Sequence, residues 1–270
     1  MKIILFSRPL SEAHRDKIVR IFATIERYGF DFIVNEEAVE CIERFIERTI
    51  APENRYGQHV GQISDRAVML CYGGDGTLLE GIHRLDGCDI PVVGLNSGRL
   101  GFLALAQSSE VDDVFEQIAN NSLKIERRAM LAVSGKLDDK NQTIYALNEV
   151  AVQRLGASMI SVDVSIDSLP TLTCNGDGII ISTPTGSTAY SLSAGGPIVA
   201  PACCCLILTP LSPHNLTLRP VVAPDSSTIN LKIRTRSNEA SISVDNRTFA
   251  VADNEEIEVK ISKRSISLAV

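Results

Sequence analysis

The sequence predicts an α/β domain followed by a β domain: a Rossmann-like, doubly wound parallel sheet at the N-terminus, then a mostly antiparallel β-sandwich. Three observations carry this. Short apolar runs alternate with amphipathic helical stretches as far as Ala119. Beyond Lys124 that pattern gives way to strict alternation with a period of two. Two glycine-rich segments, Gly73–Thr77 and Asp177–Tyr190, stand where an apolar run hands over to a turn. A chain of 270 residues has room for two cores, here 1–123 and 124–270, with the last strand expected to return toward the first domain.

Taken in order, Lys2–Phe6 reads as a strand. Glu12–Tyr28 carries Ile18, Ile21, Phe22 and Ile25 at helical spacing. A short strand at Phe30–Val34 and a helix at Val39–Thr49 follow. Ala67–Tyr72 and Pro91–Leu95 are unbroken apolar runs, as strands covered on both faces require, and Val111–Ala119 is a further helix. In the second half Ser161–Asp167 alternates Val162, Val164 and Ile166 against Asp163, Ser165 and Asp167. Ile229–Ile233, Ile242–Val244 and Ile257–Ile261 repeat the pattern. One helix is expected there, starting near Ser187.

Composition narrows the function. Hydrophobic content of 44% and charged content of 22% are ordinary for a globular protein. A net charge of −7 argues against nucleic acid and against an anionic membrane surface as partners. No apolar run reaches membrane-span length, and Met1–Phe6 is too short for a signal-peptide core, so a cytoplasmic protein is expected. The seven cysteines include no CxxC pair. Cys203–Cys204–Cys205 continues into Leu206–Leu208 and reads as a buried strand, with cysteine as a small hydrophobe. Neighbouring strand residues point to opposite faces, so three in a row do not converge on one ion, and no metal-ligating set is expected.

Gly73-Gly74-Asp75-Gly76-Thr77 has the make-up of a phosphate loop. Glycines permit close backbone approach, and a helix starting near Thr77 aims its N–H groups at an anion. Asp75 is the odd member, because a carboxylate repels phosphate. It fits there if it takes a proton from an attacking hydroxyl, holds a ribose or reaches Mg²⁺. Taken alone, the motif reads first as a plain Gly/Asp turn after a strand. The stretch Asn175–Pro197 is more specific. Thr183, Thr185, Ser187 and Thr188 offer hydroxyls, Tyr190 offers a ring for base stacking, and Gly195-Gly196 permits another close approach. Asn148-Glu149 opens the strand Val150–Val152, and an amide beside a carboxylate can read a base edge and hold ribose hydroxyls.

In their order and spacing GGDGT, LNEVAV, DGIIISTPTGSTAYSLSAGGPI, Gly94–Leu103 and Leu208–His214 resemble the bacterial NAD kinases. The resemblance spans Lys2–Val270, and the long Thr/Ser/Gly segment is its most specific part. It implies transfer of the terminal phosphoryl group of ATP to the 2′-hydroxyl of the adenosine ribose of NAD, with a divalent metal, Mg²⁺ in the first place. It makes Asp75 the proton acceptor, with Gly76 beside it against the dinucleotide and Gly73, Gly74 and Thr77 in the phosphate loop. Asn148, Glu149 and Asp177 match positions that bind NAD. Thr188, Ala189, Tyr190, Ser191, Leu192 and Ser193 match the stretch lining the NAD pocket, with Thr185 from the same loop, and Asp245 matches a carboxylate near that cleft. A homodimer or homotetramer is implied as well.

Two other readings compete: a diacylglycerol- or lipid-type kinase sharing the GGDG motif, and a non-catalytic NAD(P)-binding sensor. The Thr185–Tyr190 loop speaks against the first, and intact Asp75 and Asn148-Glu149 against the second. Three departures from the family pattern stand out. Asn175 and Arg247 replace a common Arg and Gln, and the aromatic, basic tail that many members carry after the last strand is missing from a chain without tryptophan. Apart from Arg99 the motifs hold no Lys or Arg, so metal and backbone N–H groups are expected to carry most of the γ-phosphate charge.

Overall fold

The computed structural model describes residues 1–61, 63, 66–98, 103, 106–137, 142–235 and 240–270. They divide into two units, Met1–Arg127 with Ile266–Val270, and Arg128–Ser265. The first unit contains β1 (Lys2–Phe6), α1 (Arg15–Arg27), β2 (Asp31–Asn35), α2 (Glu36–Ile46), β3 (Arg55–Tyr56), β4 (Ala67–Gly73), α3 (Asp75–Arg84), β5 (Val92–Asn96), β6 (Ala106–Gln107) and α4 (Val111–Ala119). Its strands run β6-β5-β4-β1-β2-β3, each pair parallel, and Leu268 near the chain end pairs in parallel with Val92.

This sheet is apolar on both faces, as its unbroken runs demand. Ile3, Leu5, Val68, Leu70 and Tyr72 join a core with Ile18, Ile21 and Phe22 of α1, Val39, Ile42 and Phe45 of α2, and Val114, Phe115 and Ile118 of α4. Alternate strand residues meet α3: a Cβ on Gly81 would run into Cys71, Phe6 and Met69, so only glycine lets the helix lie this close. Helix α2 stops at Ile46, short of the expected Thr49, because Glu47 turns left-handed (φ 56°) and caps onto the Glu43 carbonyl. A 3₁₀ turn at Glu12–His14 takes the place of the expected first turn of α1.

The second unit continues with β7 (Ile125–Ser134, entering from the first unit), β8 (Ile144–Ala146), β9 (Glu149–Arg154), β10 (Ile160–Ile166), β11 (Leu169–Gly176) and β12 (Gly178–Ser182). After the one-turn α5 (Tyr190–Ser193) come β13 (Cys205–Leu211), β14 (Val221–Pro224), β15 (Thr228–Arg234), β16 (Ala240–Val244), β17 (Arg247–Val251) and β18 (Glu256–Ala269). One sheet runs β14-β13-β12-β9-β16-β17, antiparallel throughout. The other holds antiparallel β11-β10-β15-β18, with β7 beside β18 and β8 beside β7.

Alternation decides which residues fill the sandwich. Val150, Val152, Ile179, Ile181, Ile242 and Val244 face inward from one sheet, and Val162, Val164, Ile229, Leu231, Ile257 and Val259 from the other. The expected cysteine strand is shorter than its sequence suggested. Only Cys205 is buried in β13, while Cys203 and Cys204 are exposed ahead of it. Cys203 N–H bonds back to the Ala200 carbonyl in a turn, and pairing with β14 begins at Cys205.

Candidate active site

In the first unit the glycine-rich turn joins β4 to α3. The Gly74 carbonyl accepts the N–H groups of Thr77 (2.9 Å) and Leu78 (3.1 Å), and Ser97 N–H donates to the Gly73 carbonyl at 3.2 Å. Thr77 is buried and folds over Gly73, where an added Cβ would overlap its side chain. Asp75 is the first residue of α3, half-buried, and its Oδ1 accepts Leu103 N–H at 3.3 Å. The turn therefore holds one carboxylate at a helix N-terminus. Arg99–Phe102 lie outside the described residues, and with them the one cation that the sequence motifs supplied.

No local sequence pattern marks the supports of this turn. The His14 Nδ1 lies 2.9 Å from the hydroxyl of buried Tyr72, next to Gly73. Lys17 Nζ donates to the Ser97 carbonyl at 3.2 Å. Both arise at the start of α1, more than 50 residues upstream of the motif.

In the second unit Asn148 and Glu149 stand at the start of β9. Their backbone is clamped by Asp245, whose Oδ2 accepts Leu147 N–H (2.8 Å) and whose Oδ1 accepts those of Asn148 (2.9 Å) and Glu149 (3.1 Å). Asp245 sits at the β16–β17 turn with a left-handed φ of 50°, which Asp tolerates better than most residues. Two residues on, Arg247 donates from Nη2 to the Tyr145 carbonyl at 2.7 Å.

The Thr/Ser/Gly segment closes over the same backbone. Thr183 N–H donates to the Asn148 carbonyl at 2.9 Å, and the Thr183 hydroxyl to that of Leu147 at 2.6 Å. Gly186 packs on Asn148 so closely that an added Cβ would overlap its carbonyl oxygen. A 3₁₀ turn, Thr185–Thr188, and the one-turn α5 replace the helix expected from Ser187. Most of the hydroxyls turn inward. Ser187 Oγ bonds both ways with Val199 (3.1 and 3.0 Å), and Ser191 Oγ meets Thr209 Oγ1 at 2.9 Å. Thr185 is buried, Thr188 and Ala189 are half-buried, and Tyr190, Leu192 and Ser193 are exposed. Gln153 Nε2 donates to the Tyr190 hydroxyl at 2.5 Å.

The buried side-chain oxygens here without a partner among the described residues include Asn148 Oδ1, Glu149 Oε2 and, opposite Glu149, Ser182 Oγ. Leaving such atoms unpaired costs about 1–3 kcal/mol each, which a ligand with hydroxyl or amine donors recovers. Burial, reinforced by the nearby Asp245 charge, pushes the Glu149 carboxyl up to about 8, against the pull of the Tyr190 N–H. Asp177 is placed differently. The β9–β12 register sets Ser182 opposite Glu149 but Gly178 opposite Gln153, so Asp177, one residue further, stands about 17 Å along the strand from the Asn-Glu pair. It pairs with Arg154 (Nε–Oδ1 2.5 Å), a residue outside the sequence motifs. That hydrogen bond holds the Asp177 carboxyl below the usual range.

Among the described residues no cluster of three or more His, Cys, Asp or Glu side chains could hold a metal ion, and no helix is long and apolar enough to cross a membrane.

Residues 20–123 match the ATP-NAD kinase N-terminal domain and residues 147–269 the ATP-NAD kinase C-terminal domain. The chain is 31% identical to an NAD kinase of Flavobacterium psychrophilum, over 99% of this chain and 92% of the relative. It is 40% identical to one from Christiangramia forsetii, over 74% of this chain and 69% of the relative. Among solved structures, a yeast NADH kinase complexed with NADH superposes with a TM-score of 0.86 at 29% identity, covering all of this chain and 83% of that one. An Archaeoglobus fulgidus NAD kinase in complex with ATP gives 0.75 at 25% identity, covering 100% and 94%. With both of its domains matched and relatives aligned end to end, the chain belongs to the NAD kinase family.

Proposed function

We infer that the chain transfers the terminal phosphoryl group of ATP to the 2′-hydroxyl of the adenosine ribose of NAD, giving NADP and ADP. The site observation that carries this is the pair of buried, unpartnered acceptors on Asn148 and Glu149, beneath the Thr185–Tyr190 loop. They suit a ligand rich in ribose hydroxyls and amide donors. No observation favours the lipid-kinase or sensor alternative.

The proposed roles follow from placement. Asp75 accepts the proton as the ribose oxygen attacks the γ-phosphorus and the bond to the β-phosphate oxygen breaks. Gly73, Gly74, Gly76 and Thr77 give a phosphate access to backbone N–H groups. Asn148 and Glu149 hold NAD, while Asp245 fixes their backbone. Tyr190 offers its ring, with Leu192 and Ser193 beside it. The backbone of Thr185, Thr188, Ala189 and Ser191 shapes the wall, and Asp177 meets the far part of an extended dinucleotide. A Mg²⁺ ion fits this donor set if phosphate oxygens and water supply most of its ligands, with Asp75 as the one carboxylate offered in the turn; it would neutralise phosphate charge.

A homodimer or homotetramer is supported by exposed Ile198 (72%), Leu216 (83%) and Val222 (54%), large apolar residues beyond the sandwich core. A cytoplasmic site of action fits seven unpaired thiols. The test is NADP formation from NAD, ATP and Mg²⁺ by the chain and by Asp75→Asn. The parent is expected to be active, and the variant to lose about 10²–10⁴-fold in kcat while still binding NAD. A folded parent that binds NAD yet makes no NADP overturns the reading.

A further inference from the structure

Arg8 belongs to none of the sequence motifs, yet it lies against the Gly73–Thr77 turn. It follows β1, whose Phe6 pairs in parallel with Cys71 of β4, so both chains leave the sheet at the same end. Ligands of parallel α/β sheets sit at that end of the strands. Buried Ser7 fixes the exit. Its N–H donates to Asn35 Oδ1 at 3.1 Å, and its carbonyl accepts Asn35 Nδ2 at 2.9 Å.

The guanidinium then lies along the start of α3. Arg8 Nε donates to Glu80 Oε2 at 3.0 Å, and a Cβ built on Gly76 would sit 3.8 Å from Arg8 Nη2. Gly76 is the residue directly after Asp75. Among the described residues no side chain or carbonyl accepts from either Nη nitrogen. Glu80 has a second cation in Arg84, at 3.3 Å, so its charge does not depend on Arg8. Arg84 is itself committed to Glu37, Glu80 and the Gly57 carbonyl, and Lys17 to the Ser97 carbonyl. Of these basic side chains around the turn, Arg8 therefore has the most donor capacity unspent, and its planar fork suits phosphate oxygens.

We propose that Arg8 is a phosphate-positioning residue of this kinase, its Nη groups contacting the terminal phosphates of the donor nucleoside triphosphate beside Asp75. This rests on the kinase reading above. It revises the expectation that metal and backbone alone neutralise the donor. Arg8 exchanges no atom or electron. The ribose oxygen bonds to the γ-phosphorus, the β–γ bridging bond breaks, the hydroxyl proton goes to Asp75 and ADP leaves. Arg8 holds charge that would otherwise resist the approach.

The test uses the full chain with Arg8→Ala, Arg8→Lys and Glu80→Gln, measuring kcat, KM for ATP and KM for NAD separately, and ATP binding by calorimetry. Expected for Arg8→Ala are an unchanged KM for NAD, a weaker hold on ATP and a kcat/KM for ATP lower by about 10- to 100-fold. Arg8→Lys should recover part of the loss, and Glu80→Gln should keep parental ATP kinetics. A rise confined to the KM for NAD would assign Arg8 to the acceptor and overturn the proposal. So would a Glu80→Gln loss equal to that of Arg8→Ala, which would make the arginine a mere partner of α3. If Arg8→Ala unfolds, Arg8→Lys against Glu80→Gln still decides. A parent without NADP formation defeats the kinase reading instead, and ATP binding by parent and variants then judges Arg8 alone.

Discussion

Asp245 and Glu149 hold each other through reciprocal hydrogen bonds. Glu149 N–H donates to Asp245 Oδ1 at 3.1 Å, and Asp245 N–H donates to the Glu149 carbonyl at 2.9 Å. The carboxylate that resemblance places near the NAD cleft thus spends its oxygens on three backbone donors of Leu147–Glu149. Its negative charge in turn helps keep Glu149 protonated. One turn residue fixes the backbone of the Asn-Glu pair and adds to the burial that keeps Glu149 protonated.

Replacing Asp245 by Ala removes the acceptor for three N–H groups. Each such loss costs about 1–3 kcal/mol when water cannot substitute, and Asp245 is half-buried, so a fall of roughly 2–3 kcal/mol in stability is expected. The KM for NAD should rise at least about 10-fold, since the pair loses its fixed position. Urea melts and steady-state kinetics check both, and an unchanged KM for NAD would detach Asp245 from substrate binding.

Glu149 predicts a pH dependence. A free Glu carboxyl titrates near 4.5, whereas burial raises this one to about 8. Between those values the folded state holds a proton that the unfolded state has released. Stability therefore falls as pH rises from about 4.5 to about 8, by an amount on the order of 5 kcal/mol from this group, and levels off above. Glu149→Gln lacks this contribution. Its melting temperature relative to the parent should climb across that window, and parallel curves would show that Glu149 is not buried as drawn.

Gly186→Ala tests the close approach of the loop to the Asn-Glu backbone. The new methyl would overlap the Asn148 carbonyl oxygen, so the Thr185–Thr188 turn must move off β9. Overpacking of this kind costs typically 1–3 kcal/mol and more against backbone. Thermal melts should show the loss, together with weakened NAD binding. A variant with parental melting and affinity would mean that the loop has room to spare.

The fold was legible because burial writes itself into periodicity. Ala67–Tyr72 is covered on both faces and has no polar residue, while Ser161–Asp167 is covered on one face and alternates. Boundaries were less legible where one backbone angle decides, as at Glu47. Cys203 and Cys204 misled because apolar composition alone does not say where pairing starts. In the site, Asp75 and Asn148-Glu149 stand out as polar residues at strand ends. The inward turn of Ser187 and Ser191 was hidden, since a hydroxyl that shapes a loop and one that meets a ligand read alike. Arg8, His14, Lys17 and Arg154 carry no local pattern at all. They matter through contacts made across the chain, as between His14 and Tyr72 or Arg154 and Asp177.

Arg154 offers a last prediction, because its two plausible contributions separate cleanly. Its pair with Asp177 is partly exposed, with side-chain exposures of 33% and 44%. Water and salt screen such a pair, so Arg154→Ala should change stability by less than about 1 kcal/mol. Binding is another matter if Asp177 meets the dinucleotide. Without Arg154 the Asp177 carboxylate loses its orienting donor and presents bare negative charge toward a diphosphate. The KM for NAD should then rise several-fold, corresponding to roughly 1 kcal/mol, with kcat kept. Asp177→Asn in the Arg154→Ala background should add little if the two act as one unit. Full additivity in that double-mutant cycle would show that Arg154 and Asp177 serve the substrate separately.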